Sequence, residues 1–205
     1  MIASYDDLCA QTADHLNRQD LTTTIPTFVQ LAEAQFNREL RFRDMMIRAN
    51  ATSDAENVQL PDDWLEHYSL QLDTSDGTFL DYISERESNQ LKAISGNIGG
   101  FVEFYTLIGN AIELIPAPGD NVNLKMVYYA RIPSLSTLAP SNWLLVKSPD
   151  LYLYSTLLQA EPYLKNDQRL TLWAQLRTAI VEAMRLESEA SLRPRSGLVA
   201  KVRAF

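Results

Sequence analysis

Apolar residues recur at helical spacing at both ends of this chain and at alternating positions in its middle, and that change of period is its strongest constraint on a fold. Near the start, Tyr5, Leu8, Cys9, Thr12 and Leu16 form one stripe, opened by a Ser4/Asp7 capping pair. A second stripe, Ile25, Phe28, Val29, Ala32, Phe36 and Leu40, marks a helix that begins near Pro26, which suits a first helical turn. From Met45 to Pro133 the period shifts toward two, with turn signals at Ser75-Asp76-Gly77, Gly109-Asn110 and Gly119-Asp120. The strands "FVEFYTLI", "AIELIP" and "NLKMVYYARI" read as an antiparallel meander, "SLQLDTSDGTFLDYIS" as a further hairpin, and "SERESNQLKAIS" as a short helix beside the sheet.

Helical periodicity returns at Pro149-Asp150 with Leu151, Tyr154, Leu157, Leu158 and Leu164, and Pro162 kinks or ends that helix. A last long helix from about Asp167 carries Leu172, Leu176, Ala179, Ala183 and Leu186 at alternating four- and three-residue steps, a seam for another helix. The expected fold is α+β: a helical bundle formed by the N- and C-terminal helices, an inserted antiparallel β-rich subdomain, and an extended C-terminal tail. The corresponding segments are 1–44, 45–140, 141–190 and 191–205.

Charge sorts the possible functions. The chain has 205 residues, 46% of them apolar, and a formal net charge of −8. Between Asp44 and Glu87 eleven acids face only Arg48 and Arg86, whereas Ser191–Phe205 contains four cations and no acid. An acidic body argues against a dedicated nucleic-acid reader, which binds by neutralising phosphates. No run of 18 apolar residues exists to span a bilayer, and the opening residues lack a signal-peptide pattern, so a cytoplasm is the first expectation. Cys9, the single cysteine, reads as a small core residue.

Chemistry finds little purchase. His15 and His67 stand far apart, with no second histidine or cysteine at ligand spacing. Asp62, Asp63, Glu66 and His67 form the best cluster, yet Pro61-Asp62-Asp63 reads more simply as a helix start whose carboxylates complement exposed N–H groups. "SGNIGG" lacks the lysine and helix of a nucleotide loop, and no serine sits in a nucleophile elbow. No catalytic, cofactor-binding or metal-ligating residue is expected. The aromatics Trp143, Tyr152, Tyr154, Tyr163 and Trp173 fit either a core or a partner surface.

The order of several fragments carries a resemblance over nearly the whole chain. These are "FVQLAEAQFNREL", "LPDDWLEHY", "YTLIGNAIELIPAPG", "VYYARIPSLS" and "NWLLVKSPDLYLYSTLLQAEPYL". In this order they resemble the head-to-tail adaptor, or connector, proteins that join the portal to the tail in short-tailed double-stranded DNA phages. The resemblance implies a virion structural protein and no enzyme. It implies a homo-oligomeric ring of about twelve copies below the portal protein, closed by heterologous interfaces. Such a ring continues the channel for genomic DNA without binding it specifically, needs no membrane, and offers its far face to a tail nozzle or tail tube protein. Assembly would take place in the host cytoplasm.

In proteins of this kind the C-terminal extension docks on the portal. Here that implies Arg193, Arg195, Lys201 and Arg203 as its charges, and Leu198, Val199, Val202 and Phe205 as its apolar anchors. Trp143, Tyr152 and Tyr154 are the candidate contacts between neighbouring copies. A tail-completion or neck protein at another level of the particle, and an intracellular protein-binding module, are the alternative readings.

Overall fold

The computed structural model describes residues 2–74, 77–95, 99–164 and 168–192. Two compact units emerge: residues 1–44 with 132–205, and residues 45–131.

The first unit is helical. Helix α1 (Tyr5–Leu16) starts where Ser4 Oγ accepts from Asp7 N at 3.2 Å while the Asp7 carboxylate accepts from Ser4 N at 3.1 Å. It stops at Asn17, whose left-handed φ of 52° suits a short polar side chain. Helix α2 (Ile25–Glu39) has its proline in the first turn, where a missing N–H costs no helical bond.

The β-rich unit separates these from the later helices, with α3 (Glu85–Ser95) inside it. Helices α4 (Trp143–Lys147) and α5 (Pro149–Gln159) follow, and α5 ends in a short 3₁₀ turn at Pro162. Helix α6 (Arg169–Leu192) is the longest.

Helix α5 touches α1, α2, α4 and α6, and Tyr152 and Leu153 are buried beside Leu151 and Leu157 of the expected stripe, while Tyr154 and Leu158 are half-buried. Phe28, Phe36, Leu144, Leu151 and Leu157 are also fully or almost fully buried, and the Phe36 and Tyr152 rings meet edge to face at 5.1 Å.

Helix α6 corrects the sequence reading. Its covered face is Trp173, Arg177, Met184 and Ser188, and the first three stand one residue along from the expected seam, about 100° round the helix. Arg177 Nε donates to Ser155 Oγ at 3.1 Å, and Arg43 N donates to Ser188 Oγ at 2.8 Å. The large indole claims the intramolecular contact. Leu172 and Leu186 are left 54% and 58% exposed, with Ala179 and Ala183 between them also exposed.

The second unit holds two sheets. One has the order β1-β7-β3, from β1 (Met46–Ser53), β7 (Val122–Ala130) and β3 (Trp64–Leu72). The other has the order β2-β6-β5-β4, from β2 (Asn57–Gln59), β6 (Ala111–Ile115), β5 (Phe104–Ile108) and β4 (Asp81–Tyr82). The expected meander stops at β6. Strand β7 has nine residues and is matched by the eight of β1 and nine of β3, whereas β6 has only five.

Alternation along β7 buries Leu124, Met126, Tyr128 and Ala130. The expected hairpin after Ser69 forms, with Leu72 N donating to Thr78 O and Leu80 N to Leu70 O. Strand β4 pairs with β5 in parallel, so the second sheet is mixed.

The expected helix at Pro61-Asp62-Asp63 is also corrected. Pro61 O accepts from Trp64 N at 3.0 Å, a tight turn that feeds β3. The same residue types begin helices and turns, and here pairing with β7 decides between them.

Candidate functional site

Two side chains one turn apart on α2 hold the segment that leads from the β unit into α4. Asn37 Oδ1 accepts from Ile132 N at 2.9 Å, and Glu33 Oε1 accepts from Leu135 N at 2.7 Å. Tyr152 Oη donates to Glu33 Oε1 at 3.2 Å and accepts from Asn142 Nδ2 at 2.6 Å. Asn142 Nδ2 also donates to Pro133 O at 2.6 Å, while its Oδ1 caps α4 by accepting from Leu145 N at 2.8 Å. Tyr5 N donates to Pro140 O at 2.7 Å, tying the same segment to α1.

Glu33 is only 3% exposed, and burial pushes its carboxyl above the ordinary range, opposed by the bonds from Leu135, Tyr152 and Ser134. Burial likewise pushes the Tyr152 phenol far up. The bonds of this cluster serve the chain's own backbone and core, so its work is to fix the shape of residues 132–142. The sequence reading missed Glu33, although a carboxylate inside an apolar stripe, four residues before an asparagine, is a legible signal.

The cluster weighed for chemistry disperses. Asp63 accepts from Tyr128 Oη at 2.8 Å, and burial together with this bond pushes the Tyr128 phenol up to about 12. His67 packs against the rings of Tyr82 and Tyr105 at 5.6 and 5.8 Å, while Asp62 and Glu66 are exposed. Among the described residues no group of three or more His, Cys, Asp or Glu could hold a metal ion. No described helix is long and apolar enough to cross a membrane. Cys9 is half-buried, and burial raises its thiol.

Elsewhere in the β unit, Lys92 on α3 bridges Glu56 and Glu113 at 2.5 Å each. Residues 45–131 hold thirteen carboxylates against five cations, which accounts for the chain's whole formal charge of −8.

The residues expected to meet neighbours divide. Tyr152 is wholly buried inside its own protomer and has no ring surface to offer, because Glu33 and Asn142 draw its hydroxyl inward. Trp143 and Tyr154 are half-buried. The tail residues Arg193, Arg195, Leu198, Val199, Lys201, Val202, Arg203 and Phe205 lie outside the described residues.

The model of the SU10 adaptor protein family matches residues 3–198, spanning both units. The chain belongs to the SU10 adaptor protein family. It is thus a phage adaptor protein, in agreement with the resemblance read from its fragments. No curated protein matches it. In this family member the matched stretch includes the Glu33–Asn37 clamp and the "NWLLVKSPDLYLY" block that it holds, which gives that quoted fragment a structural meaning.

Proposed function

We propose that this adaptor forms a closed ring of about twelve copies beneath the portal of a short-tailed phage. The ring passes the genome through its lumen and presents its far side to a tail nozzle or tube. Its role is mechanical, with no catalytic step, and its place is the head-to-tail junction of the virion after assembly in the host cytoplasm. The observation that supports this best is the second apolar face of α6. Leu172, Ala179, Ala183 and Leu186 stand at helix-packing spacing on the side away from α5. Exposed apolar surface of this regularity marks an interaction site, and a ring needs one on each protomer. Trp143 and Tyr154 add half-buried aromatic area for neighbours, and residues 193–205 form the arm that meets the portal.

An acidic surface also suits a conduit for DNA, since like charge discourages phosphate from sticking. Size exclusion with light scattering, on the protein alone and with the portal of the same genome, tests the proposal when followed by negative-stain imaging. Rings that appear alone or on the portal, and portal attachment that fails without 193–205, are the expected results. A monomer that never joins the portal would overturn it.

A further inference from the structure

The two sheets of the β unit do not close on one another. Strand β1 is paired only with β7, and β2 only with β6, so each leaves a free edge among the described residues. Between these edges opens an apolar cleft of about 210 Å³, lined by Ala49 and Ala51 on one side, Val58 on the other, and Leu70, Ile112 and Met126 at its floor. Register shows why it is open. Ile47, Ala49 and Ala51 sit opposite Tyr128, Met126 and Leu124, all buried, so they share the core-facing side of the sheet. Yet Ile47 is 46% exposed and Ala51 is also exposed, because β2 has only three residues and covers little of β1. The arrangement resembles a barrel short of one strand. Strand β1 is eight residues long, pairs without a bulge and contains no proline, so nothing in it blocks another strand from adding.

The chain itself contains a sequence suited to that place. After α6 ends at Leu192, thirteen residues follow, and the last eight, "LVAKVRAF", alternate. Leu198, Ala200, Val202 and Ala204 fall on one side, and Val199, Lys201, Arg203 and Phe205 on the other. The first set is apolar and small enough for a cleft floored by leucine, isoleucine and methionine. The second brings two of the segment's four cations to a unit whose formal charge is −8. Eight extended residues span about 26 Å, the length of β1 itself.

We propose that residues 198–205 of a second copy add as a strand along β1, seat their apolar side in the cleft and close the barrel. This is β-augmentation, in which backbone pairing supplies affinity and alternate side chains supply selectivity. The choice of a second copy rests on the ring reading: before a portal takes the segment, a strand given to one neighbour and a cleft filled by the other align protomers head to tail. Capture of the same segment by a portal would exchange one seat for the other.

The test uses two full-length proteins, each with Cys9→Ser, one with Ala51→Cys and the other with Val202→Cys. They are mixed without portal and treated with a short bismaleimide. A cross-linked species of twice the chain mass is expected from the mixture. Its yield should fall roughly tenfold when Lys201→Glu and Arg203→Glu are added, and severalfold at molar salt, as attraction of the cations to the net acidic unit requires. A protein with both cysteines that links only within one chain would overturn the proposal, as would no link at all. Leu138→Cys, on the exposed loop of the helical unit, serves as the control in place of Ala51→Cys. An equal yield there would also overturn it, by showing indiscriminate contact. Amide exchange gives a reading without cysteines: β1 amides should be protected in the native chain and lose protection with Val202→Asp. Portal-dependent rings without any cross-link would leave the adaptor reading standing while removing this one.

Discussion

Glu33 is a buried carboxylate that holds two distant parts of the helical unit, Leu135 N and Tyr152 Oη. Replacing it with leucine leaves Leu135 N–H and Tyr152 O–H buried without their acceptor, at about 1–3 kcal/mol each before relaxation. A large fall in thermal midpoint is therefore expected for Glu33→Leu. Glu33→Gln keeps an oxygen acceptor and should cost much less. Burial raises this carboxyl in the folded state, so the native protein holds the proton more tightly than the unfolded chain. Its contribution to stability is full below the ordinary carboxylate pKa and is lost as pH rises through the raised value. Denaturant titrations across that window should show stability falling with pH in the native chain and a flatter profile in Glu33→Gln. Local signals made parts of this scale readable. Ser4, Asp7 and Pro26 act within one turn of helix, and their roles follow from spacing alone. Asp63 was misread because its partner, the Tyr128 hydroxyl, comes from a strand sixty-five residues away.

Elements that carry one apolar face were legible, and those that carry two were not. Helix α6 offers neighbouring stripes, and spacing cannot tell which one turns inward. Trp173 decides it, buried on the face of α6 that also carries Met184 and covered by the Arg169 guanidinium at 5.1 Å. The outward stripe yields a clean prediction. Leu172→Glu with Leu186→Glu should leave the thermal midpoint almost unchanged, since exposed substitutions stay within about 0.5 kcal/mol. Ring formation with portal, read by light scattering, should be lost. Intact rings would remove α6 from the interface. Strand β7 was placed wrongly for a related reason: pairing partners are set by strand length and register across the whole unit, whereas a short turn after β6 suggests only the nearest neighbour. Lys92 shows the same dependence on distant partners. Lys92→Met should set Glu56 and Glu113 against each other and loosen α3, visible as faster amide exchange in that helix and in β6.

Across the whole molecule, composition foretold the asymmetry better than the topology. The excess of acid between Asp44 and Glu87 belongs to the β unit, and the helical segments with the tail balance their charges. An assembly that depends on the basic tail should weaken with salt. Attachment of the intact chain to portal, followed by sedimentation, is therefore expected to fall between low and molar salt, and to change little once 193–205 is removed. One feature of the β unit has an evolutionary side. Its first and last strands pair directly, Met46 opposite Tyr129, so the chain enters and leaves the unit at adjacent points. A domain with neighbouring ends can be exchanged, enlarged or shed like a cassette, with the helices on either side keeping their own packing. Insertions and deletions between those two ends thus leave the packing within the helical framework untouched.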